Sequence, residues 1–319
     1  MASLRMYLED TYGEDFRSVF RHFPLSFHDK ATITAEATEA AGAQGKFWEM
    51  HDLIFERQQE WAQLSGDAVQ TKLVEYAETL GLDTERFSQE LDDHVHLDRV
   101  NADTQVAQLV GLPGTPTYII NGVIYPSQDF GLHPLQVKAF IDLLKLKDRM
   151  YTAPPPQVID PDKDYVATIR TEHGDIVIEL YADQVPVNVN SFVFLSQEGW
   201  YDGVTFHRVI PEFVAQAGDP TDSGMGSPGY RCDDEIVPAL TYDGPGVVGM
   251  ASGGPGTSSI GSQFFITYDA LPQLDGGYTI IGRVIEGMDV AESITPRDPG
   301  QGAVLPPGDV IETILIEEE

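Results

Sequence analysis

Residues 206–219 read FHRVIPEFVAQAGD, and this stretch decides how the C-terminal half of the chain is interpreted. It sets one cation, Arg208, within a run of apolar residues that is typical of a buried strand. Two further stretches follow in the same half, GSQFFI at 261–266 and LDGGYTIIGRV at 274–284. The C-terminal half contains no Ser-His-Asp order, no phosphate-binding glycine loop and no metal-ligand spacing. The sequence therefore predicts chemistry without a nucleophile, a cofactor or a metal.

Short strands dominate the prediction for this half. Residues 165–171 and 175–181 alternate apolar and polar side chains around a His173-Gly174 turn. A helix is predicted from Pro186, with Val189, Phe192, Val193 and Phe194 facing inward, and a second short helix near 288–294. Many short strands separated by glycine and proline are typical of a closed barrel or a sandwich.

In this order and spacing, the three stretches closely resemble the cyclophilins, and the resemblance covers about residues 165–317. It implies an all-β domain, a closed antiparallel barrel of eight strands with two helices. It also implies peptidyl-prolyl cis-trans isomerase activity on X-Pro bonds of protein substrates, which assists protein folding and needs no cofactor.

The resemblance also assigns roles to individual residues. It makes Arg208, Phe213 and Gln216 catalytic, with Gln216 holding a substrate carbonyl. The residues that it assigns to substrate binding are His207, Val214, Ala251, Ser252, Gln263, Phe265, Gln273, Leu274 and Tyr278. Phe213, Val214, Phe265 and Leu274 line a slot for the proline ring. Without the resemblance, apolar residues at these positions are equally typical of an ordinary core.

Physical chemistry gives Arg208 a reason to be there. Rotation about an X-Pro bond loses amide resonance against a barrier of about 20 kcal/mol, and no bond is made or broken. A catalyst needs an apolar slot and a donor that favours the twisted amide over the planar one. A guanidinium stays charged and presents rigid N–H groups, so Arg208 is the predicted donor. The alternative role for Arg208 is an ordinary salt bridge.

Three departures from the cyclophilin pattern bear on ligand choice. Gln273 stands where many members have tryptophan, and Tyr278 stands where many have histidine. The loop between Pro255 and Gly261 is about two residues longer than the common form. We expect isomerase activity to survive these changes and cyclosporin binding to be weak.

The N-terminal half is predicted to be mostly helical. The apolar spacing predicts helices over 46–58, 67–80, 84–97 and 134–147. Strands are predicted at Arg17–Phe23, Thr117–Ile120 and Val123–Tyr125. Residues 151–164, YTAPPPQVIDPDKD, read as a stiff proline-rich linker. The expected organisation is therefore a domain at 1–150, a linker at 151–164 and a second domain at 165–319.

Residues 20–26 (FRHFPLS), 45–58 (GKFWEMHDLIFERQ) and 114–125 (GTPTYIINGVIY) resemble the DsbA-like branch of the thioredoxin fold. The resemblance covers about residues 3–148. It implies an α/β domain with a helical insertion, and a cis peptide bond at Thr115-Pro116.

The family's Cys-x-x-Cys is absent, and Cys232 is the chain's single cysteine, so this chain cannot carry out thiol–disulfide exchange. The sheet lacks the strand that carries the dithiol, and the expected result is self-association or local instability at the open edges. We interpret the chain as truncated or internally started, and a natural remnant is the alternative.

The charge excludes several partner classes. The net charge is −32, with 24 acids and 13 bases in residues 1–150 and 27 acids and 6 bases in residues 151–319. Such a field repels nucleic acid and anionic lipid, so neither nucleic-acid binding nor membrane insertion is predicted.

His94-x-His96 with Asp98 is not a predicted metal site, because side chains at these positions of a helix do not converge on one point. An exported location is expected if a leader is missing, and a cytoplasmic one if the chain is complete.

Two other functions stay open at this point. The C-terminal domain could bind proline-containing segments without catalysing their isomerisation, and an isomerase assay distinguishes these two functions. The chain could also be a fragment of a larger redox-isomerase folding factor.

Overall fold

The computed structural model describes residues 2–301 and 305–318. The chain divides into two compact units, Met1–Lys138 and Ala139–Glu319. Within the described ranges, no helix has the length and apolar character needed to cross a bilayer.

The first unit is helical, and a helix forms in each of the four stretches where the apolar spacing predicts one. Its helices are α1 (Ala2–Tyr12), α2 (Ala31–Gly42), α3 (Phe47–Glu56), α4 (Gln58–Trp61), α5 (Asp67–Thr79), α6 (Thr84–Asp92), α7 (Leu97–Leu109), α8 (Ser127–Phe130) and α9 (Pro134–Leu146), the last of which continues into the second unit. Helices α1, α2 and α8 fall outside those four stretches, and α4 and α7 each begin only at the last residue of a stretch.

Helices α2, α3, α5 and α6 share the core of this unit. Alanines of α2 pack against larger side chains of the other three helices, among them Met50, Leu73 and Phe87, which are fully buried. The spacing that predicts the helices at 46–58 and 84–97 also puts Phe55 and Val95 on their inward faces, and both of these assignments were wrong. Phe55 is 44% exposed, and Val95 is 56% exposed because α6 ends at Asp92. Just beyond that end, His94 adopts a left-handed φ of 53°, which a continuing helix does not allow.

Among the described residues of the first unit, strand structure is limited to one hairpin. Strands β1 (Ile119–Ile120) and β2 (Val123–Ile124) pair around Asn121-Gly122, whose positive φ angles suit a tight hairpin turn. The strand predicted at Arg17–Phe23 does not form, and residues 16–25 have no regular structure. An extended segment becomes a strand only where a neighbour pairs with it, and among the described residues nothing pairs with this one. The peptide bond at Thr115-Pro116 is cis, as the resemblance implies.

The second unit is built on one antiparallel sheet. Its strands are β3 (Tyr165–Thr171), β4 (Gly174–Leu180), β5 (Arg208–Ile210), β6 (Val214–Ala217), β7 (Val247–Ser252), β8 (Ser259–Thr267), β9 (Ile280–Glu286) and β10 (Ile311–Glu318). Their order is β10-β3-β4-β9-β7-β8-β6-β5. The expected closed barrel is present only as a curled sheet, because β5 and β10 do not pair as strands within the described residues.

Two helices complete this unit, α10 (Pro186–Gln197) and α11 (Met288–Ser293). Helix α10 begins at Pro186, where the missing N–H costs nothing. It buries Val189, Phe192 and Val193 as predicted, whereas Phe194 is only half-buried. The core combines these side chains with inward residues of the strands.

The proline-rich segment 151–164 is part of the second unit and has no helix or strand. The Tyr151 amide donates to the Pro228 carbonyl at 2.8 Å. The Asn190 side chain accepts from the Val158 amide at 2.7 Å and donates to the Pro156 carbonyl at 3.0 Å. Hydrogen bonds therefore hold this segment along the surface of the second unit.

Candidate active site

The hairpin of β5 and β6 brings a cation and an amide side by side. Arg208 and Gln216 are partners in the strand register, and Arg208 Nη1 donates to Gln216 Oε1 at 3.4 Å. The turn between the strands places the Phe213 ring against the Arg208 guanidinium, and Arg208 Cζ lies 5.4 Å from the ring centroid. This geometry fits a cation–π contact. The site therefore presents a charged donor next to an aromatic surface.

A buried glutamine fixes the orientation of Gln216. Gln263 on β8 is fully buried, and its Oε1 accepts from Gln216 Nε2 at 3.0 Å. Its own Nε2 donates to the carbonyls of Gly224 at 3.0 Å and Gly226 at 2.8 Å. Since both ends of the Gln263 amide are engaged, Gln216 is held with its own oxygen toward Arg208.

An apolar cluster is formed by residues of this hairpin, of β7 and β8, and of the segment before β9. Val214, Ala251 and Phe265 are buried in it, and Phe213, Leu274 and Tyr278 are half-buried against it. We call these six residues the apolar slot. Phe265 packs edge-on to Tyr278, with ring centroids 5.9 Å apart, and stacks on Tyr242 at 5.7 Å. Sequence reasoning missed Tyr242, which is fully buried beneath the slot.

Gly249 gives the Phe265 ring its position. It lies on β7 opposite Phe265 in the strand register. A Cβ at this position would stand 2.6 Å from Phe265 Cζ and would also collide with the Tyr242 hydroxyl. Only glycine lets the two rings stack at this depth, so Gly249 is a further residue that the sequence reasoning missed.

The basic residues of the second half differ in how they are neutralised. Four of the six cations in residues 151–319 form ion pairs with carboxylates, namely Lys163, Arg170, Arg283 and Arg297. Arg231 donates to the Ser258 carbonyl. Within the described residues, Arg208 has no carboxylate partner, and its charge is available to a ligand.

Ser252 and Gln273 flank the apolar slot. Ser252 Oγ donates to the Gly254 carbonyl at 2.8 Å, which stabilises the start of the long loop after β7. Gln273 is exposed on the short 3₁₀ turn Pro272–Leu274, directly before the slot residue Leu274. Both residues lie at the rim that the resemblance assigns to substrate.

His207 is the predicted site residue that does not join this group. Its ring is 3% exposed, and neither ring nitrogen has a hydrogen-bond partner. Burial lowers the pKa of His207, with Asp219 and Asp222 acting in the opposite direction. The neutral ring therefore packs in the interior behind Arg208 and offers a substrate almost no surface.

Other polar groups have structural partners. Cys232 is 3% exposed and bridges Ser259 through the backbone, and burial raises the pKa of its thiol. Ligand atoms of Glu172, His173 and Asp309 lie within 4.8 Å of one another, but both Asp309 oxygens already accept from Thr295. This set is therefore part of the packing that joins two loops.

His94 and His96, which the sequence analysis set aside as ligands, bind different carboxylates. His94 lies 3.1 Å from Glu36, and His96 lies 2.7 Å from Glu90. The two rings thus serve separate contacts.

Comparison with known proteins identifies the second unit. Residues 166–314 match the family model of the cyclophilin type peptidyl-prolyl cis-trans isomerases. Peptidyl-prolyl cis-trans isomerase ppi1 of Schizosaccharomyces pombe is 49% identical over 127 residues, which cover 39% of this chain and 81% of that protein. The chain belongs to the cyclophilins. A second cyclophilin relative, peptidyl-prolyl cis-trans isomerase-like 3 of Gibberella zeae, is 42% identical over 151 residues, with 41% and 89% covered.

Among solved structures, this cyclophilin is similar to a cyclophilin type peptidyl-prolyl cis-trans isomerase of Cryptosporidium parvum. The two are 39% identical, the match covers 48% of this chain and 98% of the other, and the TM-score is 0.44. A structure of that protein in the presence of the dipeptide Ala-Pro matches with a TM-score of 0.43.

The first unit matches a different family model. Residues 15–137 match the family model of the DSBA-like thioredoxin domain. The chain is therefore a peptidyl-prolyl cis-trans isomerase whose cyclophilin domain is preceded by a thioredoxin-like domain.

Proposed function

We propose that Arg208 is the catalytic donor with which this cyclophilin isomerises X-Pro bonds of protein substrates and so assists their folding. One observation carries the proposal: Arg208 lies at the apolar slot and has no ion-pair partner in the part of the chain that the structure describes, whereas four of the other five cations in this half are ion-paired. A charge that no carboxylate neutralises can interact fully with an amide that twists. Because the donor is already in place, its reorganisation adds little to the barrier.

The apolar slot is the proposed seat of the proline ring. Its half-buried members, Phe213, Leu274 and Tyr278, offer surface to a ligand, and its buried members support them. A peptide that enters this slot removes the amide from water, which strengthens its interaction with Arg208. Gln216 is proposed to hold a substrate carbonyl, and the backbone at Ala251 and Ser252 to pair with the extended chain.

Cyclosporin is proposed to bind weakly. Gln273 is exposed at the rim and has neither the ring nor the indole N–H that tryptophan provides at this position in many cyclophilins. The longer loop after Ser252 changes the same rim.

Three further assignments are proposals about architecture. Closure of the curled sheet into a barrel is supported by the bridge between Thr205 and Val310, which lie just before β5 and β10. Domains at 1–150 and 165–319, joined by 151–164, are supported by the lack of helix or strand between 151 and 164. Self-association through β1 is supported by its single strand neighbour and by Ile119, which is 52% exposed.

The test of the catalytic proposal is Arg208→Ala in a protease-free assay on a proline peptide. We expect kcat/KM to fall by at least about 10²-fold, the size of one transition-state donor. Arg208→Lys should recover little, because an ammonium lacks the planar fork. Arg170→Ala, which removes an arginine from an exposed pair on β3, is the matched control and should keep full activity. Turnover at the unaltered level in Arg208→Ala would contradict the proposal.

A further inference from the structure

Strand β5, which carries Arg208, is an end strand of the described sheet order and is only three residues long. On its inner edge it pairs with β6, where Arg208 lies opposite Gln216. A three-residue end strand with one neighbour is weakly fixed by that pairing alone. The position of the Arg208 side chain therefore depends on what holds the outer edge.

Arg297 holds that outer edge through its backbone. The Val209 amide donates to the Arg297 carbonyl at 2.7 Å, and the Arg297 amide donates to the Val209 carbonyl at 2.8 Å. This reciprocal pair is an isolated antiparallel bridge. It fixes the residue that follows Arg208.

The guanidinium of Arg297 fixes the residue that precedes Arg208. Its Nη1 donates to the His207 carbonyl at 2.6 Å, and its Nε donates to the Pro306 carbonyl at 2.9 Å. The same group binds Asp222, with Nη2 to Oδ2 at 2.6 Å and Nη1 to Oδ1 at 3.2 Å. The side chain is 11% exposed. Water therefore competes little for these donors.

Asp222 connects this anchor to the glutamines of the site. It lies in the loop 219–226, which Asp219 stabilises by accepting from the amides of Thr221 and Gly226 at 2.8 and 3.0 Å. The far end of the same loop accepts both donors of Gln263, which binds Gln216. A closed series of contacts therefore links Arg208 to Gln216 and Gln263, then to the loop 219–226 and to Arg297. Arg297 in turn contacts the residues on either side of Arg208.

We propose that Arg297 is a positioning residue for isomerisation, which sets the direction of the Arg208 side chain by clamping His207 and Val209 on either side of it. This inference rests on the proposed catalytic role of Arg208. Arg297 does not touch the apolar slot, and it acts through the backbone of β5. Displacement of a catalytic group by a fraction of an ångström slows a reaction that depends on geometry.

The requirement is for a guanidinium. Three acceptors lie in different directions around the group, the carbonyls of His207 and Pro306 and the carboxylate of Asp222. A planar fork with five N–H donors reaches all of them at once, whereas an ammonium is a point charge on a flexible stem. Arg297→Lys should keep an ion pair with Asp222 and lose the clamp on His207.

The experiment compares kcat and KM on a proline peptide for the full chain and its variants. We expect Arg297→Lys to lower kcat about 10-fold and to leave KM within about twofold, since the slot is intact. Asp222→Asn is the gentler variant, because asparagine tolerates the φ of 58° at this position and removes only the charge. It should lower kcat about threefold. Arg283→Ala, which breaks an arginine–aspartate pair elsewhere in the same unit, should leave kcat unchanged.

A double-mutant cycle separates this inference from the catalytic proposal. In the Arg208→Ala background, Arg297→Lys should change kcat by less than about twofold, because a positioning residue has nothing left to position. A full 10-fold loss in that background, or no loss in the Arg208 background, would overturn the inference. If Arg208→Ala itself retains full activity, the catalytic proposal fails, and the inference about Arg297 fails with it because Arg208 is then not the group to be positioned. Circular dichroism at the assay temperature verifies that each variant is folded.

Discussion

The two units of this chain each match a family model, but they keep very different amounts of the chemistry of those families. In its described residues, the cyclophilin unit has eight paired strands, a buried glutamine network and an arginine without a counter-ion at an apolar slot. The thioredoxin-like unit has nine helices or parts of helices and one hairpin of two-residue strands in its described residues, and no cysteine. Motif similarity alone therefore does not say which half of a fused protein is chemically active.

The difference lies in what each unit needs from the rest of the chain. The cyclophilin site is complete within residues 205–310, because every contact described for it lies between elements of the same sheet and its loops. In the other unit the extended segment 16–25 has no strand neighbour among the described residues. Four predictions test how far this contrast extends.

Of these four, the largest effect is expected from Gly249→Ala in the cyclophilin unit. The new methyl group would push Phe265 off Tyr242, which should destabilise the unit by about 1–3 kcal/mol and lower kcat/KM about 10-fold. Gly244→Ala is the matched control, because a Cβ there meets nothing within 4 Å. Activity assays and thermal melts measure both. Equal tolerance of the two alanines would show that the slot is less tightly specified than its packing indicates.

The rim of the slot should respond to Gln273→Trp. We expect the variant to bind cyclosporin about 10-fold more tightly, since it gains a ring and an indole donor worth about 1.4 kcal/mol. Inhibition of peptide isomerisation gives the affinity, and peptide turnover serves as the internal control. Unchanged inhibition would mean that the longer loop between Pro255 and Gly261 controls access instead.

The pH dependence of stability should change when the buried His207 is replaced. Burial lowers the pKa of His207, so below about pH 6.5 the unfolded chain takes up a proton that the folded unit refuses. Stability therefore falls as the pH falls through that range, by at most about 1.4 kcal/mol per pH unit from this group. His207→Gln should flatten the slope measured by denaturant unfolding of the cyclophilin unit. Val187→Ala, at an exposed position of the same unit, changes no titratable group and should leave the slope unaltered.

The smallest effect is expected in the thioredoxin-like unit. If β1 recruits a second chain along its free edge, the full chain should show weak concentration-dependent association by light scattering. Ile119→Lys should reduce that association, because a charge on an edge strand opposes pairing. Val106→Lys, which alters a residue 58% exposed on helix α7, is the control. A monomer at all concentrations would remove self-association from the proposed properties of this unit.

The sequence predicted those helices and strands well whose positions depend on residues close together in the chain. Strands β3 and β4 and helices α10 and α11 begin within a residue or two of their predicted positions, because alternation, turn residues and Pro186 act over a few residues. The segment Arg17–Phe23 failed for the opposite reason. Its pattern is typical of a strand, but a strand also needs a partner, and no local pattern supplies one.

The same distinction applies to the site. Arg208, Phe213 and Gln216 lie within nine residues on one hairpin, so their proximity follows from the strand register. Arg297 reaches β5 from 90 positions away, and no periodicity reveals such a contact. The signal that could have revealed Arg297 was composition. Arg297 is one of only six cations among the many acidic residues of 151–319, so a specific partner for it was to be expected.

The burial of Cys232 has a practical consequence. A single thiol that is 3% exposed, with its pKa raised by burial, reacts slowly with alkylating reagents while the protein is folded. A cysteine introduced at any exposed position thus becomes the one fast-reacting thiol of the chain. Fluorophores or spin labels can therefore be attached to either unit at will, with the native sequence otherwise intact.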